Sequence, residues 1–292
     1  MGSLPQTLVY GVLVGALYGL AAVGLSLVFG VTDFLNVAHG ELLMLGGYAS
    51  FWLFTLLGVD PFASIPLTIL FLVLIGLILY RVLFVRMVKL PTEDKIRNTL
   101  LIGFGVGLIL QNVALQLWTA DIRAITPDYA GVAFTVLGVR FSIVRVASLV
   151  IAFVFLFALQ LFLRRTYTGK AIRATVEDWE AATLMGINVH RVYLLAFVMG
   201  AALAGVAGTL VAVGYSVEPA MGMHWTLKAL IVMVMGGVGS ITGTLVGGII
   251  LGVAESATSI LISGNYRQVV GLIIFILVLL VRPQGLFGTK ES

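Results

Sequence analysis

Residues 30–50 read GVTDFLNVAHGELLMLGGYAS and place polar side chains between two apolar segments. Asn36, His39 and Glu41 fall within six residues. A bilayer-spanning helix needs roughly 20 mostly apolar residues, so one helix should end before these side chains and another begin near Gly40. Buried backbone must be hydrogen-bonded, so such a break is tolerated only against protein or a water-filled cavity. The stretch predicts two discontinuous membrane helices.

The composition of the chain is that of a membrane protein. Of its 292 residues, 60% are hydrophobic and only 10% are charged, whereas soluble domains carry about 25% charged residues. The net charge of +4 does not indicate nucleic-acid binding, because the basic residues gather in short loops between apolar runs. The absence of cysteine excludes disulfides and thiolate metal sites. The start, MGSLPQTLVY, lacks a basic n-region, so we expect no cleaved signal peptide.

Nine apolar windows predict an all-α polytopic fold, a bundle of about eight or nine transmembrane helices. The windows are 8–29, 40–57, 62–85, 98–118, 141–163, 192–213, 224–238, 241–262 and 268–282. The longest hydrophilic stretches, 119–140 and 164–191, are too short to fold alone, so residues 1–292 should form a single transmembrane domain. Glycines at helical spacing predict close helix packing, either within the chain or between subunits. They are Gly11, Gly15, Gly19, Gly103, Gly107, Gly243, Gly247, Gly248 and Gly252.

The distribution of lysine and arginine predicts the orientation in the membrane. Segments 81–97 and 164–191, together with Arg282 and Lys290, hold 12 of the 17 basic residues. They fall on one side if the windows alternate, and the positive-inside rule makes that side cytoplasmic. The N-terminus is then outside and the C-terminus inside. An aromatic belt is expected at the outer boundary, from Trp118, Tyr129, Tyr215, Trp225 and Tyr266.

A second polar break is similar to the first. The stretch SVEPAMGMHWTLKALIVMVMGG at 216–237 resembles VTDFLNVAHGELLMLGG at 31–47, and the predicted topology gives the two breaks opposite orientations. This arrangement is typical of inverted-repeat transporters, whose path lies between the repeats. The candidate path or hinge residues are Asn36, His39, Gly40, Glu41, Glu218, Gly222, His224, Lys228, Gly236 and Gly237.

The polar residues of the breaks also have a purely structural interpretation. Asn36 or His39 would cap the helix that starts near Gly40, and Glu41 in its first turn would suit the helix dipole. His224 and Lys228 would snorkel to the outer interface. Intramembrane ionisable residues are nevertheless functional candidates, and Glu255, inside the eighth window, must face a partner in the protein interior. The three histidines, at 39, 190 and 224, fall on both sides of the membrane, so we expect no metal site.

The segment RRTYTGKAIRATVEDWEAATLMGINVHRV at 164–192 is amphipathic and charged. Its pattern predicts one helix from Lys170 to Met185, which Gly186 would end as a C-cap. This helix is either an interfacial element or a docking surface whose apolar side enters a partner's groove.

Four motifs carry a family resemblance over nearly the whole chain. EAATLMG at 180–186 resembles the EAA-x3-G pattern of the coupling loop in permeases of ATP-binding cassette (ABC) importers. The chain is also similar to the LivH-type permease of high-affinity branched-chain amino acid importers. That similarity rests on GLSLVFGVTDFLNVAHGELLMLGGYAS (24–50), LKALIVMVMGGVGSITGTLVGG (227–248) and RPQGLFG (282–288).

The resemblance implies a set of partners and a bacterial inner-membrane location. These are a second, LivM-type permease, two cytoplasmic ATPases and a periplasmic binding protein. It assigns the ATPase contact to Lys170, Arg173, Glu180, Ala181, Ala182 and Gly186. The sequence contains no G-x4-G-K-[ST] phosphate loop, so ATP should bind the partner subunits, and this chain should be neither an enzyme nor a cofactor protein.

The resemblance leaves the cargo open among branched-chain amino acids, urea and short amides, and aromatic or dicarboxylic acids. Glu218 stands where this permease class usually has a small or neutral residue. Two other classes of function remain. An ion-coupled transporter or channel would use Asp33, Glu41 and Glu255, and its uptake would depend on a gradient rather than on ATP. An intramembrane enzyme would use His39 and Glu41, but the sequence places no nucleophile or second metal ligand near them.

Overall fold

The computed structural model describes residues 4–136, 138–282 and 284–288, and in this part of the chain the fold is a helix bundle with one short β-hairpin. Lys290 and Pro283, which belong to the predicted basic tail and closing motif, lie outside the described residues. The helices are α1 Leu4–Thr32, α2 His39–Leu57, α3 Ile65–Val82, α4 Thr92–Trp118, α5 Ile143–Arg165, α6 Tyr167–Glu177, α7 Trp179–Leu184, α8 Val189–Gly214, α9 Met221–Gly236, α10 Ile241–Leu261 and α11 Arg267–Val281. Single 3-10 turns cover Phe84–Met87 and Gly264–Tyr266.

Each of the nine apolar windows overlaps one helix, which confirms the predicted all-α membrane fold. Among the described residues, eight helical segments are long and apolar enough to cross a membrane. The ninth apolar helix, α9, has 16 residues and is about 24 Å long, less than the roughly 30 Å hydrocarbon thickness. It therefore covers only part of a bilayer, as expected for a discontinuous segment.

The N-terminal helix α1 forms the centre of the bundle and is buried over most of its length. Its glycines lie directly against α10: a Cβ on Gly15 would lie 2.6 Å from the Gly248 carbonyl oxygen, and one on Gly252 would lie 2.5 Å from the Gly15 Cα. The two backbones touch because neither helix carries a side chain there. These glycines thus pack within the chain.

The outer helices turn large apolar side chains outward, where lipid would cover them. α11 is the most exposed of the spans in the described part of the chain, and α3, α4 and α5 are largely exposed as well. Examples are Leu74, Ile78, Leu101, Ile109, Phe157, Ile276 and Leu280.

The single helix predicted over Lys170–Met185 is wrong, because the segment forms two helices, α6 and α7. Asp178 separates them with extended dihedral angles, and its carboxylate accepts hydrogen bonds of 2.9 Å from the backbone nitrogens of both Glu180 and Ala181. An aspartate that satisfies the free NH groups of a new helix is a strong N-cap.

The end of α7 is as predicted. Gly186 is left-handed, with φ +84°. Its backbone nitrogen donates to the Thr183 carbonyl at 3.0 Å, while that of Ile187 donates to the Ala182 carbonyl at 3.0 Å. This is the Schellman pattern of a glycine C-cap.

A short antiparallel hairpin, not predicted from the sequence, lies between α4 and α5. It consists of β1 (Ala133–Val136) and β2 (Val139–Ser142). The Phe134 and Phe141 rings stack across it, with centroids 5.5 Å apart. Gln6 of α1 holds its edge, donating to the Arg140 carbonyl at 2.8 Å and accepting from the Arg140 nitrogen at 2.7 Å.

Candidate functional site: two helix breaks that meet inside the bundle

The first break, residues 33–38, folds back along the end of α1. Asp33 stops α1 in the left-handed conformation, with φ 59°, which aspartate tolerates better than most residues. His39 Nε2 then lies 2.9 Å from the carbonyl oxygen of Ala21, near the middle of α1. α2 therefore begins about halfway along α1, inside the bundle.

Helix α4 and nearby aromatic rings hold the first break in place. The nitrogen of Leu35 donates to Thr99 Oγ1 at 3.0 Å, and a Cβ on Gly103 would lie 2.8 Å from the nitrogen of Val37. The ring of Phe34 is fully buried between Phe84 and Tyr193, with centroid distances of 5.7 and 5.9 Å. The backbone that leaves the helix ladder is covered by protein, as the bilayer requires.

The second break, residues 215–220, lies between α8 and α9. Val217 makes a two-way backbone bridge with Arg123, at 2.9 and 2.7 Å. The buried Val217 side chain lies against α2, where a Cβ on Gly47 would meet it at 3.0 Å. Glu218, one of the predicted path residues, is half-buried in this break.

The helices that follow the two breaks begin against each other. The nitrogen of Gly40 donates to Thr226 Oγ1 at 2.9 Å, and the same hydroxyl donates to the Val37 carbonyl at 3.0 Å. A Cβ on Gly40 would overlap the carbonyl oxygen of Gly222, and a Cβ on Gly222 would overlap the carboxylate of Glu41. Gly40 must be glycine for this approach because its Cβ would meet backbone, whereas a Cβ on Gly222 would meet only the end of the Glu41 side chain.

From this shared point α2 and α9 run in opposite directions. α2 proceeds towards the end of α4, where the rings of Tyr48 and Trp118 stack with centroids 4.1 Å apart. α9 proceeds towards the end of α1: the nitrogen of Gly239 donates to Ser26 at 3.0 Å, and a Cβ on Gly30 would lie 2.7 Å from the Gly239 Cα. Opposed helix starts are what the sequence comparison of the two breaks predicted.

The prediction that Asn36 or His39 caps α2 is wrong. The N-cap residue is Ala38, no side chain caps it, and the hydroxyl that serves the nitrogen of Gly40 belongs to Thr226 of α9. Nothing near Thr226 in the sequence points to this role, because its partner lies 186 residues away. Glu41 does lie in the first turn of α2, as predicted.

Three buried polar atoms at the first break have no hydrogen-bond partner among the described residues: Asn36 Oδ1, His39 Nδ1 and Glu41 Oε2. With Nε2 of His39 donating to the Ala21 carbonyl, its Nδ1 is an acceptor, so all three atoms lack a donor. Buried polar groups are nearly always satisfied, and such exceptions need an explanation. Glu41 faces a small cavity of about 80 Å³, which Gly103, Gly107, Gln111 and Met223 also line.

The interpretation of Lys228 as a snorkelling residue is wrong as well. Its Nζ contacts both carboxylate oxygens of Glu255, at 2.6 and 2.9 Å, and Tyr18 donates to the same carboxylate at 2.9 Å. This identifies the partners of Glu255 that the sequence left open. His224, one turn earlier on α9, is exposed.

The predicted path residues thus fall into separate groups. Gly40, Glu41 and Gly222 meet at the start of α2 and α9, beside Asn36 and His39. Gly236 and Gly237 lie at the far end of α9, where the nitrogen of Phe287 donates to the Gly236 carbonyl at 3.1 Å. Within residues 4–136, 138–282 and 284–288, no three His, Asp or Glu side chains are grouped as metal ligands.

Helices α6 and α7 form an exposed surface at the predicted coupling loop. Of the six residues assigned to an ATPase contact, Ala182 is buried and the other five are exposed: Lys170, Arg173, Glu180, Ala181 and Gly186. Beside them, Trp179, Leu184 and Met185 are 52%, 88% and 84% exposed. Large apolar side chains outside the spanning helices are typical of a surface that binds another protein.

Comparison with known proteins agrees with this architecture. Residues 7–279 match the family described as branched-chain amino acid transport system / permease component. The chain is 35% identical to the high-affinity branched-chain amino acid transport system permease protein BraD of Pseudomonas aeruginosa, over 98% of this chain and 96% of that protein. It is 35% identical to LivH of Escherichia coli over the same shares. It is 30% identical to the probable LivH of Methanocaldococcus jannaschii, over 92% and 88%.

A family match over this much of the chain covers both helix breaks and the loop between α5 and α8. The chain therefore belongs to the family of permease components of branched-chain amino acid transport systems, membrane-spanning subunits of ABC importers.

Proposed function

We propose that this chain is the permease through which a branched-chain amino acid crosses the bacterial inner membrane, driven by ATP hydrolysis on two cytoplasmic ATPase subunits. The observation that carries the proposal is the exposed α6–α7 surface with the EAATLMG motif, in a chain without a phosphate loop of its own. Its near full-length relatives are named as branched-chain amino acid permeases. A LivM-type second permease and a periplasmic binding protein complete the assembly.

The same proposal fixes the orientation. The basic segments 81–97 and 164–191 are cytoplasmic, the hairpin and the second break face the periplasm, and the N-terminus is outside. The α6–α7 surface is then on the side where ATP is available.

Movement of the coupling surface would reach the breaks through α8. The glycine turn at Gly186 joins α7 closely to α8, and α8 packs against α2: a Cβ on Gly46 would lie 2.8 Å from the Gly205 Cα. A shift of α8 therefore displaces α2, and with it the contact between Gly40 and Gly222. Parting the two helix starts would expose the unpaired Glu41 and Asn36 to cargo, which makes the breaks the gate of the path.

The ion-coupled alternative is weakened by the pairing of two of its acids. Glu255 is neutralised by Lys228 at 2.6 Å, and Asp33 lies 4.0 Å from Lys95. Glu41 remains, and a single carboxylate does not make a proton or ion relay across the membrane.

The test is reconstitution of this chain with a LivM-type permease and two ATPase subunits from the same organism. ATP hydrolysis is measured with binding protein loaded with leucine, isoleucine, valine, urea or an aromatic acid. Stimulation by a branched-chain amino acid supports the proposal, and stimulation only by urea or aromatic acids reassigns the cargo. Gly186→Arg is the coupling control, because a side chain at φ +84° is strained. Failure to associate with any ATPase would refute the importer.

A further inference from the structure

A cavity of about 350 Å³ lies between α9, α10 and α11, separate from the helix breaks. Its volume is within the roughly 300–1,000 Å³ of small-molecule sites. Lys228 and Glu255 form an ion pair in its wall, His224 and Gln268 also line it, and the side chains of Leu227, Ile231, Leu272 and Phe275 supply apolar walls. One positive group, one negative group and an apolar surface therefore share one small space.

The charged pair is held so that it opens into the cavity. The side chains of Lys228 and Glu255 are 21% and 8% exposed, so the ammonium is the more accessible partner. The Tyr18 hydroxyl donates to Glu255 Oε2 at 2.9 Å, and Lys228 Nζ lies 4.4 Å from the centre of the Tyr18 ring. The Tyr18 hydroxyl thus gives the Glu255 carboxylate a second partner besides Lys228.

A contribution to folding stability does not explain why Lys228 and Glu255 form an ion pair inside the membrane segments. Replacing a buried ion pair by apolar side chains of similar volume is often neutral or stabilising. Charged residues inside membrane segments are costly and usually mark a functional site. None of the contacts at the start of α2 and α9 involves either residue.

We propose that this cavity binds a free zwitterionic α-amino acid with an apolar side chain. The carboxylate of the ligand pairs with Lys228, its ammonium pairs with Glu255, and its side chain lies against Leu227, Ile231 and Leu272. In the empty site the two protein charges satisfy each other, so binding exchanges one set of ion pairs for another. The inference rests on the proposed function, because it gives the cargo a site on the permease itself.

The test uses the membrane complex of the two permeases and the two ATPases in lipid nanodiscs, without the binding protein, whose own leucine site would mask the signal. It measures [³H]leucine binding by scintillation proximity. The variant Lys228→Met with Glu255→Leu removes both charges without leaving one unpaired. We expect it to bind leucine about ten- to a hundredfold more weakly, since charge-assisted hydrogen bonds are lost. Isocaproate, which lacks the ammonium, and isoamylamine, which lacks the carboxylate, should compete poorly. Co-purification of all subunits and an unchanged melting temperature establish that the variant is assembled.

A second variant tests the cavity without touching the charges. Leu272→Trp fills the apolar wall and should weaken leucine binding, whereas Ile276→Trp, on the next turn of α11 and outside the cavity lining, should not. Unchanged leucine binding in both the double variant and Leu272→Trp would overturn the proposal. Mass spectrometry provides a further check. The wild type could retain phosphatidylethanolamine that the double variant loses, and show no leucine binding. That result would assign the cavity to lipid and would also overturn the proposal.

The two proposals fail differently. If leucine-loaded binding protein does not stimulate ATP hydrolysis by the wild-type complex, the proposed function is contradicted. If it does stimulate hydrolysis but leucine binding is unchanged by the substitutions at Lys228 and Glu255, only the proposed cavity site is contradicted.

Discussion

The contact between the two helix breaks predicts that Gly40→Ala is far more harmful than an alanine elsewhere in the bundle. The new Cβ would overlap the carbonyl oxygen of Gly222 and lie 2.8 Å from its carbonyl carbon, whereas carbon atoms in contact are roughly 3.5–4.0 Å apart. α2 and α9 must separate, and the separation stretches both hydrogen bonds of the Thr226 hydroxyl. Overpacking costs about 1–3 kcal/mol, and two net hydrogen bonds add about 1–3 kcal/mol.

Gly105→Ala in α4 is the matched control. A Cβ on Gly105 meets nothing within 4 Å, so only the gain in helix propensity, up to about 1 kcal/mol, applies there. That gain is largely common to both substitutions. The free energies of unfolding of the two variants should therefore differ by about 2–6 kcal/mol, a factor of roughly thirty to twenty thousand in the folding equilibrium.

The assay is equilibrium unfolding of the purified chain in mixed micelles by increasing SDS fraction, followed by far-UV circular dichroism. Leucine uptake by the assembled complex should fall in parallel for Gly40→Ala and stay at the wild-type rate for Gly105→Ala. If the two variants unfold within 1 kcal/mol of each other, α2 and α9 do not touch at Gly40, and the argument for a gate at this point is refuted.

Three smaller perturbations test other contacts. Thr226→Val removes the hydroxyl that bonds to Gly40 and Val37 and should destabilise the chain in SDS titration by about 1–3 kcal/mol. Thr226→Ser keeps the hydroxyl and should be as stable as the wild type. Equal stability of the two variants would show that the hydroxyl is not needed. Asp178→Ala removes the N-cap of α7 at a cost of about 1 kcal/mol and should reduce the ATP hydrolysis that loaded binding protein stimulates. Asp178→Asn retains the cap and should retain the stimulation. Full stimulation in the alanine variant would contradict a role of α7 in coupling. Tyr129→Phe deletes the hydrogen bond to the Asp60 carboxylate and should increase proteolytic cleavage of the loop between α4 and β1; a cleavage rate equal to the wild type would count against that contact.

Much of the fold follows from local sequence because the bilayer makes local demands. Asn36, His39 and Glu41 cluster between two apolar runs, which indicated a break, and the backbone of that break had to be covered by protein, since lipid offers no partner to free backbone groups. The left-handed Gly186 was predictable in the same way, because a helix that ends at the membrane surface commonly uses glycine. Asp178 was a recognisable N-cap, but the amphipathic pattern continues across it and suggested one helix where there are two.

The site was less predictable because its contacts join distant parts of the chain. Lys228 and Glu255 lie in different helices; Lys228 had an ordinary interfacial alternative and Glu255 had no named partner, so their pairing appears only when α9 and α10 pack. The cap from Thr226 depends on two glycines, Gly40 and Gly222, that let α2 and α9 approach. The stretch FTVLGVRF alternates around a glycine near its centre, which is the sequence signal from which the hairpin at 133–142 is predictable.

The central position of α1 has a consequence for how the protein is made. Helix α1 leaves the ribosome before α8 and α10, the helices against which it packs. At about 5–20 residues per second, roughly 10–50 seconds separate the completion of α1 from that of α10. During that interval its glycine-lined side has no partner and must be held in the translocon or in lipid. A nascent chain truncated before α10 should therefore be degraded by membrane proteases. Only chains that include α10 would then assemble with the other subunits.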